Sequence, residues 1–201
     1  MKRIIISLLA MLLLLPTAQS RTRKKQTVQP PTLSTIEIIT KVNDYWQQTH
    51  KPEVRSFWDE AAYHTGNMEA YRLLSTARWL DYSITWARHN RWMGAQEQDP
   101  TKWKYKNYGE GHDYVLFGDW QICFQTYLDL YEIEHGGGRW EVRGERSLQQ
   151  QNIPLTSHPL PLTSHYKIAR AIEVMDYEVR QPQTDFWWWA DALYMVMPVF
   201  T

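Results

Sequence analysis

The stretch "STARWLDYSITWARHNRW", residues 75–92, decides the fold class. Trp79, Tyr82, Ile84 and Trp86 recur at helical spacing but spread beyond one narrow stripe. A helix that is apolar on more than one side is packed from more than one side, as in a bundle or a toroid. Its neighbours read the same way. Ser34–His50, "STIEIITKVNDYWQQTH", sets Ile38, Val42, Tyr45 and Trp46 on one face behind a Ser/Thr cap signal. "SFWDEAAYHTGNMEAYRLL" follows a break at Pro52 and predicts another helix, with Gly66 a weak point or a close backbone contact. "FGDWQICFQTYLDLYEI" carries Trp120, Phe124, Tyr127 and Tyr131 on one stripe and Asp119, Ile122, Cys123 and Thr126 on another. "YKIARAIEVMDYEV" and "FWWWADALYMVMPVF" bring the expected helices to six. No run alternates with a two-residue period between turn signals, so the class is all-α.

Two connections are long. Met93–Leu116 is polar but studded with Trp103, Tyr105, Tyr108 and Tyr114, which predicts an ordered loop. Residues 135–165 contain a triple glycine, a triple glutamine and "PLTSH" twice, and read as an irregular insertion. At the other end, residues 1–20 combine Lys2 and Arg3, an apolar run from Ile4 to Leu15, and a small-residue exit. That is the layout of a secretory signal peptide. The run falls short of the about 20 apolar residues a membrane span needs, and a retained anchor is the alternative. Residues 21–33 form a basic, proline-containing lead-in, and residues 34–201 the helical domain. The expectation is an exported protein without stable membrane insertion.

The charge of this 201-residue chain excludes one class of partner. With 22 basic and 22 acidic side chains, it lacks the concentrated basic footprint of a nucleic-acid binder. Cys123, the single cysteine, reads as a small core residue. The seven histidines form no i,i+4 pair and no HExxH, so no metal site is expected. Neither GxSxG nor GxxxxGK[ST] nor CxxC occurs, which leaves serine-nucleophile, phosphate-loop and thiol chemistry without a motif. No cofactor is implied. Eleven Trp and twelve Tyr point either to a large aromatic core or to flat surfaces for stacking on sugars.

Two aspartates draw attention. Asp185 fits the cap that starts the last helix, whereas Asp191 lies inside the run, with Trp187, Trp188, Tyr194 and Met195 at three- and four-residue spacing. Aromatic company would strip water from the carboxyl group and keep its proton on, giving a general acid. The competing reading is an aspartate near a helix start, favoured by the helix dipole or bonded to a Trp N–H. Asp119, in "FGDWQ", is either a helix cap or a second carboxylate that holds water or a sugar hydroxyl.

Three blocks, "AAYHTGNMEAY", "WKYKNYGEGHDYVLFGDWQICFQTYLDLY" and "WWWADALYMVMPVF", resemble glycoside hydrolase family 105, the unsaturated rhamnogalacturonyl hydrolases, relatives of the family 88 unsaturated glucuronyl hydrolases. The resemblance runs from about residue 36 to residue 201, with a gap over 135–165. It implies an (α/α)6 toroid, of which some six helices are present, with a pocket at one mouth. The implied substrate is an oligosaccharide whose non-reducing uronic acid carries a C4=C5 double bond. The implied reaction protonates the vinyl ether at C4 and hydrates C5. By resemblance Asp191 is the acid/base, and Asp119 positions the sugar or the water. Tyr63 and His64 occupy the place of pocket residues on an early helix, and Trp188 that of a stacking wall. Against the family pattern, later pocket residues have no counterpart, and the alternative expectation is an inactive remnant or a sugar-binding helical module.

Overall fold

The computed structural model describes residues 33–136 and 165–200. The expected signal peptide and lead-in, and the interior of the expected insertion, lie outside the described residues. Six α-helices and no strand are found among the described residues, so the all-α class holds. They are α1 (Thr35–Thr49), α2 (Trp58–Leu74), α3 (Ala77–His89), α4 (Cys123–Glu134), α5 (Tyr166–Arg180) and α6 (Ala190–Val196). Short 3-10 turns occupy Pro100–Lys102, Gly118–Trp120 and Met197–Phe200.

α2 packs on α3 and α4, and α4 packs in turn on α5. Aromatic side chains fill the interior, which answers most of the compositional question. Trp79, Trp86, Trp92, Trp103 and Trp120 are all buried. Trp86 and Trp92 both meet the Tyr127 ring at 5.5 Å, and Phe57 meets Trp120 edge-on at 4.8 Å. Tyr82 and Ile84 are half-buried on the flanks of α3, as expected of a helix packed on several sides. Cys123 is buried and free.

α1 departs from expectation. Ile38, Val42 and Tyr45 are exposed, and the helix is held instead by its polar edge. Asn43 donates to Asn67 at 2.7 Å, Gln47 donates to Tyr63 and Asn67, and Tyr63 donates back to Asn43 at 2.5 Å. Mutual hydrogen bonding makes that burial tolerable for amide side chains.

Helix ends follow backbone geometry that spacing does not reveal. α3 stops at His89 because Arg91 and Trp92 both take left-handed φ values, 55° and 59°, which turn the chain into the long connection. That connection is ordered, as its aromatics predict. Lys104 N–H donates to Asp113 O at 2.8 Å, Leu116 N–H to Lys104 O, and Glu97 N–H to His112 O. At the start of the connection a Cβ on Gly94 would overlap the Trp120 carbonyl, so the two backbone segments touch there.

The last helix also starts later than the sequence suggests. Trp189 is extended, with φ −126° and ψ 156°, and α6 begins at Ala190. Asp185 therefore caps nothing. Its carboxylate accepts from the Tyr105 hydroxyl at 2.8 Å and lies 3.8 Å from Lys106. Trp187 and Trp188 precede the helix rather than share a face with Asp191.

Candidate active site

The turn that carries Asp119 and the helix that carries Asp191 are packed together. Gly118 makes this contact close: a Cβ there would lie 3.3 Å from Trp189 and 3.5 Å from Ala192 and Val196. Gln125, on the first turn of α4, adds a clamp. Its amide nitrogen donates to the carbonyls of Tyr194 and Met195, each at 2.8 Å. These bonds satisfy carbonyls at the end of α6 that have no partner within so short a helix.

The two aspartates differ in environment, and in the opposite sense to the sequence expectation. Asp191 is exposed, in the first turn of α6. Asp119 is only 6% exposed. Burial first, then the charge of Asp191, then those of Asp59 and Glu110, push its carboxyl up to about 6. The water-poor carboxyl group is thus Asp119. The tryptophan run fails to cover Asp191 because those residues are not on its helix.

Around the pair the structure adds residues that spacing did not single out. Arg55 bridges Asp59 and Glu110, at 2.6 Å each. Glu110 also accepts from the Tyr108 hydroxyl, and that exposed ring stands edge-on to Phe57 and Phe117. Arg55 lies far from Asp119 in sequence, before α2, whereas Tyr108 and Glu110 lie on the long connection that leads into it, whose aromatic loading was their only signal. Trp188 is 56% exposed and meets Trp189 at 4.9 Å, which in turn leans on Phe117 at 4.7 Å. An exposed indole is thus linked through the Trp189 ring to Phe117, two residues before Asp119.

Tyr63 and His64 are placed elsewhere. Tyr63 stacks on Trp46 at 4.7 Å and bonds to α1. His64 is 1% exposed, sandwiched between Trp86 at 3.9 Å and Tyr82 at 5.6 Å, with Nδ1 at 3.0 Å from Ser83 Oγ. Burial holds its imidazole down to about 3, so it is neutral. The contacts of both residues run to α1 and α3, and neither meets Asp119 or Asp191 among the described contacts. Among the described residues no group of three or more His, Cys, Asp or Glu side chains is arranged to hold a metal ion.

An all-α scaffold with two coupled carboxyl groups beside exposed aromatic rings has the make-up of a carbohydrate-processing site. The chain belongs to glycosyl hydrolase family 88, whose model matches residues 33–201. Its helices are accordingly part of that family's all-α toroid. A solved structure described as glycosyl hydrolase family 88 from Bacteroides vulgatus is similar at 46% identity, TM-score 0.65, over 82% of this chain and 39% of that one. A second, described as a polysaccharide lyase, is similar at 51% identity, TM-score 0.64, over 82% of this chain and 38% of the other. The chain therefore spans about two fifths of the length of those relatives. No match was found among curated proteins.

Proposed function

We propose that this chain carries the paired carboxyl groups of an exported hydrolase that removes an unsaturated uronic acid from the non-reducing end of rhamnogalacturonan fragments. One observation carries the reading: Asp119 is buried, and the neighbouring charge of Asp191 helps to push it up to about 6. Membership of family 88 supports glycoside hydrolysis. The resemblance of the three sequence blocks to family 105 supports the finer substrate.

In this reading Asp191, exposed at the start of α6, delivers a proton to C4 of the vinyl ether. The π electrons form the new C4–H bond, and the positive charge left behind is shared between C5 and the ring oxygen. Water adds at C5 and returns its proton to the carboxylate. The hemiketal then opens by breaking the bond from C5 to the ring oxygen, and the freed hemiacetal at C1 expels the next sugar as an alcohol. One water is consumed. Asp119, part-protonated near pH 6, orients a sugar hydroxyl or the water, and Trp188 offers a stacking face. This differs from glycosidases that attack the anomeric carbon directly.

The test follows the ultraviolet absorbance of the C4=C5 bond when an unsaturated rhamnogalacturonan disaccharide is added. Absorbance falls with wild type and stays level with a folded Asp191→Asn variant. Equal rates in the two would remove Asp191 from its role. Binding of the sugar with no loss of absorbance would favour a sugar-binding module instead.

A further inference from the structure

Glu178 is a buried carboxyl group that the chemistry proposed for Asp119 and Asp191 leaves unused. It sits near the end of α5, 3% exposed. Its Oε1 accepts from the Gln121 amide nitrogen at 2.7 Å, and its Oε2 meets no hydrogen-bond partner. Burial outweighs that one bond and pushes the acid up to about 8, so it is neutral over most of the working range. No charged side chain of α4, of the Gly118–Trp120 turn or of the segment before α6 is among the groups that act on it.

Gln121 connects this acid to both aspartates. It is fully buried, two residues beyond Asp119. Its amide nitrogen uses one hydrogen on Glu178 and points the other at the Val115 carbonyl, at 3.2 Å. Its oxygen accepts from the Trp187 indole N–H at 3.4 Å. An amide has two donors on one side and one acceptor on the other. Turned over, Gln121 would set its oxygen against the Val115 carbonyl and its N–H groups against the Trp187 donor. The orientation is therefore set by its neighbours, and Glu178 supplies the shortest of the three bonds. Trp187 lies four residues before Asp191, so the bridge joins the flank of one aspartate to the flank of the other.

We propose that Glu178 is a positioning residue for the Asp119–Asp191 pair: by accepting from Gln121 it keeps that amide's oxygen on Trp187, and so keeps the segment that leads to Asp191 seated on the turn that carries Asp119. The role rests on the reading of that pair as the reactive centre. It acts through Gln121 and touches no substrate. Ionisation of Glu178 would place an unpaired charge in the interior, a cost that works against the closed packing around Gln121.

The experiment compares wild type, Glu178→Gln and Glu178→Leu. The glutamine oxygen still accepts from Gln121 but cannot ionise. It is expected to hold kcat within about twofold of wild type at pH 6 and to lack the alkaline fall in kcat that wild type is expected to show near pH 8. The leucine variant is expected to lose about tenfold in kcat with KM little changed, since misplacement of a reacting group costs rate before affinity. A second readout needs no turnover: the Trp187 indole N–H resonance, assigned with Trp187→Phe, should move with pH in wild type and stay fixed in Glu178→Gln. Failure of wild type to process any unsaturated disaccharide would count against the proposed function, while the indole resonance would still decide the bridge. A folded Glu178→Leu protein with wild-type kcat, or a Glu178→Gln protein that keeps the same alkaline fall or the same moving resonance, would overturn the proposal.

Discussion

Replacing Asp119 with asparagine should stabilise the protein at neutral pH and do nothing at acid pH. In the folded chain its carboxyl is raised from 3.8 to about 6 by burial and by the charges of Asp191, Asp59 and Glu110. A carboxyl raised in the folded state contributes stability that is whole below the unfolded value, near 3.8, and is lost as pH rises through about 6. At 1.36 kcal/mol per pH unit, that interval corresponds to about 3 kcal/mol. Asparagine keeps the shape and cannot ionise, so the variant escapes the loss. Urea unfolding of both proteins from pH 4 to pH 8 measures it. The variant should match wild type near pH 4 and gain over it by up to about 3 kcal/mol by pH 7. Wild type alone does not isolate the effect, because His64 contributes the opposite slope. With its imidazole held down to about 3, His64 supports the fold above its unfolded value near 6.5 and withdraws that support as pH falls. The difference between variant and wild type cancels His64. A difference that is flat with pH would refute the claim that Asp119 is the water-poor partner, and an Asp119 midpoint unmoved by Asp191→Asn in carboxyl NMR would refute the coupling.

Three further substitutions probe the frame around the site. Gly94→Ala should destabilise by about 1–3 kcal/mol, read as a lowered thermal midpoint, because the added Cβ would overlap the rigid carbonyl of Trp120. His64→Gln can still bond to Ser83 without titrating, so its denaturant midpoint should change less than wild type between pH 6 and pH 4, although loss of the stacked ring lowers it throughout. Gln125→Ala removes both bonds to the carbonyls of Tyr194 and Met195 and should cost about 1–3 kcal/mol, with amide hydrogen exchange rising in α6 more than in α4.

Much of the helical frame was legible because its spacing and its burial agree. Trp79 and Trp86 are fully buried on α3, and Phe124 and Tyr127 on α4. α1 was less legible: of the face shared by Ile38, Val42, Tyr45 and Trp46 only Trp46 packs, on Tyr63, and the other contacts that seat the helix include those of Asn43 and Gln47. An amide that bonds to a distant amide leaves no periodic trace. The start of α6 was misread for a related reason. Tryptophans are acceptable in a helix, but the backbone is non-helical from Asp185 to Trp189, and the extended Trp189, packed beside Gly118, marks the break before Ala190. At the site, Asp119 and Asp191 were legible as candidates, but which of them loses its water was not. That depends first on burial, which spacing does not show, and the shift is then reinforced by the charges of Asp191, Asp59 and Glu110, the last two brought near by the folding of α2 and the long connection. Glu178 looked like an ordinary helical glutamate, and only its contact with Gln121 gives it a distinct character.

The inversion of environments between the aspartates has a chemical logic. A carboxyl that must reach a substrate cannot be sealed away from solvent by its own protein, and Asp191 is exposed. A carboxyl that must remain protonated near pH 6 needs either an apolar surround or negative neighbours, and Asp119 has both. In the resting pair the charge on the exposed member helps to keep the proton on the buried one, so Asp191 must take up a proton before it can deliver one to C4. The same electrostatics bear on an anionic sugar. Asp59, Glu110 and Asp191 all raise Asp119, and Arg55 is already engaged by Asp59 and Glu110. A uronate entering this field would meet repulsion, and it would also strengthen the hold of Asp119 on its proton. Substrate entry and proton retention on Asp119 then favour one another, so the negative surround that opposes binding of the free anion also keeps Asp119 neutral for its role of orienting the sugar or the water.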